Sequence, residues 1–180
     1  MKSNREQVLR AAADFLSRRP NATQDEIALA VGISRATLHR YFAGRDGLLE
    51  ALDQLAVAHM HEALETARWR EDAAPEALRR LLSACEPISG YLTLLYTQSQ
   101  DFDANRAKDA WAEIDSEIRH LFERGQREGA FRTDLTAVWF TEALYNLVAG
   151  AAWIIQVGRG APRDFAHMVT ELLLHGVSAP

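Results

Sequence analysis

The sequence contains few of the residues that characterise disulfide-bonded, membrane-spanning or β-rich proteins. Its 180 residues include one cysteine, Cys85, which cannot form an internal disulfide bond and which we interpret as a small core residue in preference to a redox sensor. No uninterrupted apolar run reaches the length of about 18 residues that a bilayer span requires. Alternating β-branched runs typical of strands are also missing. Because Ala, Leu, Glu and Arg dominate instead, the composition predicts an all-α protein.

The sequence also lacks the signals of common enzymes and of export. It contains neither a glycine-rich phosphate loop nor a nucleophile elbow. His59 and His61 are two residues apart and therefore point to different faces of a helix, so we interpret them as surface histidines and not as a metal pair. We expect no catalytic activity, no cofactor and no metal. Residues 1–5 lead into a polar helix instead of an apolar signal-peptide core, so we expect a cytoplasmic protein that does not contact a membrane.

Charge is unevenly distributed along the chain. The formal net charge is −5, yet residues 1–46 contain eight Lys and Arg against five Asp and Glu, an excess of three positive charges. The remaining residues contain 12 basic and 20 acidic side chains, an excess of eight negative charges. A basic first quarter on an acidic body is typical of a protein that places one end on phosphates.

Helical spacing of apolar residues, together with capping signals, predicts nine helices. Thr23 with Glu26 three residues later has the spacing of a capping box, and Ser34 is a candidate N-cap for the next helix. Gly32 and Gly129 are expected to end helices. The predicted helices cover residues 3–19, 24–31, 35–42, 45–70, 75–85, 87–99, 106–128, 134–157 and 162–176.

Residues 24–43, QDEIALAVGISRATLHRYFA, have the pattern of two helices that cross at a sharp angle. Ala28 is the small residue at the crossing, and Gly32 permits the turn. Ile27, Val31, Ile33 and Leu38 form the inner faces. The pattern fits a DNA-reading helix-turn-helix, although an ordinary helical corner with a solvated charged face has the same spacing. The face left exposed on the second helix consists of Arg35, Ala36, Thr37, His39 and Arg40.

Residues 27–28, 31–42 and 45–49 resemble the N-terminal domain of the tetracycline-repressor (TetR) family. The resemblance implies a three-helix DNA-binding domain at residues 1–46 and a larger helical domain for ligand sensing and dimerisation at residues 47–180. It implies a ligand-responsive regulator, most simply a repressor, that binds a near-palindromic double-stranded operator as a homodimer. Whether ligand releases or promotes DNA binding is left open, as is an interaction protein whose helix-turn-helix has lost DNA binding.

The resemblance also implies which residues contact DNA. Arg35 and Ala36 match positions that face bases, and Ser34 and Thr37 match contacts near the start of the recognition helix. His39 stands where the family usually has tyrosine, Arg45 where it has lysine, and Pro20 lies in a loop that usually carries a glycine and an aromatic residue. The implied DNA contacts are Thr23, Gln24, Ser34, Arg35, Ala36, Thr37, His39, Arg40, Tyr41 and Arg45.

The C-terminal part contains the four tryptophans and most of the other aromatic residues. Aromatic residues at helical spacing are usually core, but the resemblance implies an apolar ligand cavity among the middle helices. Small residues at 149–152 and three leucines at 172–174 indicate that the last two helices form a four-helix bundle between subunits. We expect a small apolar or amphipathic effector, and the candidate lining residues are Tyr91, Leu95, Trp111, Ile114, Phe140 and Asn146.

Overall fold

A computed structural model describes residues 4–90, 92, 94 and 108–177 of the protein. Within these residues the chain forms eight α-helices, two short 3-10 helices and no β-sheet, which confirms the all-α class. The 3-10 helices are Glu86–Ile88 and Pro162–Asp164. The α-helices are α1 (Asn4–Arg18), α2 (Gln24–Ala30), α3 (Arg35–Phe42), α4 (Arg45–Ala67), α5 (Ala74–Cys85), α6 (Lys108–Arg127), α7 (Ala137–Gln156) and α8 (Phe165–Val177).

The starts of α2 and α3 follow the local capping signals of the sequence. Thr23 and Glu26 form the predicted capping box, in which Oγ1 of Thr23 accepts from the Glu26 amide and the Glu26 carboxylate accepts from the Thr23 amide. Ser34 caps α3 by accepting from the amide of Thr37 at 3.1 Å, as predicted. Gly32 has a φ of +72°, which explains why glycine stands at the turn between α2 and α3.

The helices α7 and α8 begin three residues later than predicted, and two further differences have a local reason. The helix α4 ends at Ala67, three residues before the predicted end, because Arg68 takes a left-handed conformation with φ of 50°. The guanidinium of Arg80 donates to the freed carbonyl of Ala67 at 2.9 Å and stabilises this end. The predicted helix 87–99 begins as a 3-10 turn at Pro87, and most of it lies outside the described residues. The predicted number of nine helices is therefore approximate.

The helix α4 connects the two halves of the molecule. It packs against α1 and α3 at its beginning and against α5 and α6 further along, while α8 packs against α5 and α7. Leu48, Leu52 and Leu64 are completely buried along its length, and one hydrophobic cluster runs through both halves. The predicted domain boundary between residues 46 and 47 falls in the first turn of α4. The two halves are therefore joined by a continuous helix and not by a flexible linker.

The helix α7 is the most exposed of the apolar helices in the described part of the chain. By length and composition alone it could cross a membrane, a test that core helices also pass, but only 33% of its most apolar window is buried within the subunit. Trp139 and Trp153 are 59% and 57% exposed, and Leu172 of α8 is 62% exposed. We call the following set the apolar outer surface: Val138, Trp139, Trp153, Ile154, Val157 and Leu172.

The residues expected between subunits are divided between this surface and the core. Leu173 and Leu174 are buried within the chain, and so are Ala151 and Ala152. Gly150 lies outside, where an added Cβ atom would meet no heavy atom within 4 Å. The outward face of α7 thus carries large apolar residues toward both ends, with Glu142, Asn146 and Gly150 between them.

Candidate DNA-binding surface and effector region

The corner between α2 and α3 has a buried interior that fixes the orientation of α3. Ile27 and Leu38 have no exposed surface, and Ala28 is 3% exposed where the two helices meet. Phe42 is buried at the end of α3, and the guanidinium of Arg5 lies 5.0 Å from the centre of its ring. These contacts attach the corner to α1 and leave the other side of α3 free of packing.

The opposite face of α3 presents small and hydrogen-bonding side chains. Arg35, Ala36, His39 and Arg40 are exposed. Thr37 is half-buried, and its hydroxyl lies 3.0 Å from the hydroxyl of Ser34. Such a face can approach base edges closely and can donate hydrogen bonds to them. The structure therefore brings the residues implied for base contact onto one side of one helix.

An ion pair joins the starts of α2 and α3. Nη1 of Arg35 donates to Oδ2 of Asp25 at 3.0 Å, and both side chains are about two-thirds exposed (68% and 66%). Sequence reasoning missed Asp25. The signal available was an acidic and a basic residue in the first turns of two helices that meet at a corner.

Arg45 contacts the protein's own backbone. Its guanidinium donates to the carbonyl of Pro20 at 2.7 Å and to the carbonyl of Ala22 at 2.8 Å, and the side chain is half-buried. These bonds hold the loop between α1 and α2 against the start of α4. A phosphate contact by Arg45 would use the N–H groups that remain.

The remaining predicted DNA contacts lie at the edges of the same surface. The hydroxyl of Tyr41 accepts from Nδ2 of Asn4 at 3.3 Å, and its carbonyl accepts from Nε of Arg5 at 3.2 Å. Thr23 is exposed and engaged in the capping box. Gln24 is half-buried, and its amide nitrogen has no partner among the described residues.

The predicted effector residues are only partly brought together. Ile114 and Phe140 are buried, and Phe140 packs 5.5 Å from the ring of Phe122. Asn146 lies on the exposed outward face of α7, so the structure does not place it with the other two. Tyr91 and Leu95 lie outside the described residues.

Two aromatic side chains in this region donate hydrogen bonds to carboxylates. Nε1 of the half-buried Trp111 donates to Asp53 at 2.7 Å, which joins α6 to α4. The hydroxyl of Tyr145 donates to Asp115, which joins α7 to α6. Burial raises the pKa of Tyr145 well above its ordinary value, and the negative charge of Asp115 raises it further. Burial also raises the pKa of the nearby Cys85 thiol to about 12, which agrees with its interpretation as a core residue.

Two clefts separate α1 from the body of the molecule. The larger, of about 420 Å³, is lined by α1, α4 and α5 with the turn that follows, including Arg10, His59 and Thr66. The smaller, of about 240 Å³, lies beyond it between the end of α1 and α7. Neither is lined by Trp111, Ile114 or Phe140. The larger cleft borders both halves of the molecule.

Sequence comparisons define the class of protein to which this corner belongs. The family model described as bacterial regulatory proteins, tetR family, matches residues 8–52. The HTH-type transcriptional regulator NfxB of Pseudomonas aeruginosa is 33% identical over 180 residues, covering 99% of this chain and 96% of that protein. The chain belongs to the TetR family of bacterial transcriptional regulators. The repressor LfrR of Mycolicibacterium smegmatis is 36% identical over 96 residues, covering 51% of this chain and 49% of that protein.

Solved structures share the fold at lower sequence identity. LfrR from Mycobacterium smegmatis, in complex with proflavine, superposes with a TM-score of 0.78 at 21% identity, covering 96% of this chain and 92% of that one. PfmR from Thermus thermophilus superposes with a TM-score of 0.72 at 19% identity, covering all of both chains. At these identities the likeness shows the fold alone.

Proposed function

We propose that the protein is a ligand-responsive repressor that binds a near-palindromic operator as a homodimer, with α3 as the recognition helix. The observation that carries this proposal is the exposed face of α3, whose small and donor side chains stand on a corner fixed by buried residues. In this proposal Arg35 and Ala36 face bases, while Ser34 and Thr37 bond base edges or phosphates. The other contacts, to the DNA backbone or groove edges, come from Thr23, Gln24, His39, Arg40, Tyr41 and Arg45.

The homodimer is supported by the apolar outer surface. Large exposed apolar patches on a folded subunit mark interaction surfaces, and a two-fold pairing of α7 and α8 would cover this one. Residues 1–46 then bind DNA, and residues 47–180 sense ligand and pair the subunits. The location would be cytoplasmic, where the operator is.

The effector is proposed to be a small apolar or amphipathic molecule bound among α4, α5, α6 and α7. Support comes from the mixture of buried apolar and hydrogen-bonding groups there, such as Ile114, Phe140 and the Trp111–Asp53 pair. The proflavine complex of LfrR shows that a protein of this fold binds a small aromatic ligand.

Selection of binding sequences from random DNA tests the proposal. The wild-type protein should enrich a near-palindrome whose half-sites lie about 10 base pairs apart or a multiple of this, because the two recognition helices enter successive major grooves. Arg35→Ala should weaken the enrichment, whereas Arg163→Ala, an exposed arginine on the turn before α8, should leave it unchanged. No enriched sequence, together with gel shifts of genomic fragments that fail, would favour the alternative of an interaction protein.

A further inference from the structure

We propose that Asp25 is a specificity-determining residue, which positions Arg35 for base readout and penalises sequences that Arg35 cannot read. The inference rests on the proposed function, since it concerns how α3 chooses its operator. It starts from the ion pair between Oδ2 of Asp25 and Nη1 of Arg35 at 3.0 Å.

Stability does not account for this pair. Both side chains are about two-thirds exposed, and exposed ion pairs contribute little to the folded state because water and salt screen them. The fold of the corner already follows from the buried contacts of Ile27, Ala28 and Leu38. We therefore expect the ion pair to act in the complex with DNA, where water is excluded from around it.

In the groove the pair restricts how Arg35 can be used. A guanidinium has five N–H donors in a fixed fork, and the contact with Asp25 engages one side of it. The remaining donors can bond the two acceptors of a guanine with less loss of side-chain freedom than an unrestrained arginine would suffer. Asp25 thus acts through Arg35 as a positioning residue.

The carboxylate of Asp25 also affects binding to DNA sequences that offer Arg35 no base contact. Asp25 is repelled by DNA phosphates, so it weakens binding to all sequences. On the operator, the positioning of Arg35 by Asp25 strengthens the base contact and offsets this repulsion. On other sequences the positioning brings no gain, so the difference in affinity between operator and competitor grows. Asp25 therefore lowers affinity and raises specificity together.

The test compares wild type, Asp25→Asn, Arg35→Ala and the double variant on the selected operator, on its single-base variants and on random competitor DNA. Asp25→Asn should bind random DNA more tightly, and its preference at the base pair read by Arg35 should fall about three- to tenfold, part of what one bidentate contact supplies. In the Arg35→Ala background, Asp25→Asn should leave base preference unchanged. Asp46→Asn is the matched control, because Asp46 is the second residue of α4 as Asp25 is of α2.

The outcomes separate this inference from the proposed function. If the wild-type protein selects no sequence, the proposed function fails and the inference fails with it. If wild type has an operator but Asp25→Asn keeps the same base preference, the inference alone is overturned. It is overturned as well if Asp25→Asn changes preference without Arg35, or if Asp46→Asn has the same effect. Thermal unfolding of each variant shows that the compared proteins are folded.

Discussion

At the scale of single residues, the capping box at the start of α2 stabilises the first helix of the DNA-binding corner. Thr23→Ala removes the hydroxyl that accepts from the Glu26 amide, so the free energy of unfolding should fall by about 1 kcal/mol. Urea denaturation followed by circular dichroism measures the change. Thr23→Ser keeps the hydroxyl and should stay close to wild type. Equal stability of the alanine and serine variants would contradict the role of this cap.

The hydrogen bond from Tyr145 to Asp115 is a second residue-scale contact whose removal has a defined cost. Tyr145→Phe leaves the half-buried carboxylate of Asp115 without this donor, so the free energy of unfolding at pH 7 should fall by about 1–2 kcal/mol. The measurement is urea unfolding at neutral pH. Thr133→Ala, a change at an exposed position before α7, is the control and should cause little change.

The stability of Tyr145→Phe should also differ from that of wild type at high pH. The pKa of Tyr145 is raised in the folded state, so the neutral phenol contributes stability that is fully present below the unfolded pKa of about 10 and is lost as the pH rises above it. Stability of wild type should therefore fall more steeply above about pH 10 than that of Tyr145→Phe. Parallel pH profiles for the two proteins would show that Tyr145 ionises freely in the folded state.

A residue's role can be predicted from the sequence when the residues that determine it lie close by in the chain. Thr23, Ser34 and Gly32 were assigned correctly because caps and turns are decided by residues three or four positions away. The exposure of Asn146 and the burial of Leu173 were not predictable, because the side of a helix that is buried is decided by neighbours far along the chain. Three consecutive leucines point in three directions around a helix, so their pattern alone does not say which of them is buried.

At the scale of elements, α4 is expected to couple the effector region to the DNA-binding corner. The larger cleft lies between α1 and the α4–α5 pair, so a side chain that fills it should shift α1 relative to the body. Thr66 lines the cleft and is exposed, so Thr66→Trp can enter it without displacing the core. Operator affinity without effector should change about fivefold or more, the lower end of typical couplings.

The control for this prediction is on the same helix. Ala58 is exposed and does not line the larger cleft, so Ala58→Trp should leave operator affinity unchanged. Fluorescence anisotropy with labelled operator measures both variants. If Thr66→Trp and wild type bind the operator equally well, this cleft is not coupled to the DNA-binding corner.

Most helix boundaries were predicted to within one residue, but the starts of α7 and α8 and the end of α4 lie three residues from their predicted positions. The start of α4 at Arg45 was predicted from the break before it, whereas α7 was expected from residue 134 and begins three residues later, after the side-chain cap of Thr136. The end of α4 was misplaced because Arg68 adopts a left-handed conformation that arginine rarely takes. The bond from Arg80 that stabilises this end comes from another helix, which sequence spacing does not reveal.

At the scale of the whole molecule, the apolar outer surface should be covered by a second subunit. Gly150→Arg places a charge in the middle of that surface, where no atom of the same subunit is within 4 Å of the added Cβ. The subunit should therefore fold, and the helix should gain up to about 1 kcal/mol from the loss of glycine. Sedimentation should show monomers, and operator affinity should fall.

A matched charge elsewhere separates the interface from general charge effects. Ala112→Arg introduces arginine on the exposed side of α6 and should remain dimeric with unchanged operator affinity. If Gly150→Arg also stays dimeric, the subunits pair through a different surface. The sequence favours these two helices for the interface because both are strongly apolar, but the residues that face outward became evident only with the fold.

The bonds from Arg45 to the carbonyls of Pro20 and Ala22 attach the loop before α2 to the start of α4, so we expect the three N-terminal helices to move together with α4. With 23 residues, α4 is about 34 Å long, so it acts as a lever. A rotation of about 5° around one end displaces the other end by about 3 Å. In a two-fold pair the displacements add, which is a large error for recognition helices that must stand about 34–36 Å apart. A long lever thus makes a small tilt sufficient, and no large rearrangement is needed. If the hydrogen bonds of Arg45 were lost, the same tilt of α4 would move the recognition helix less.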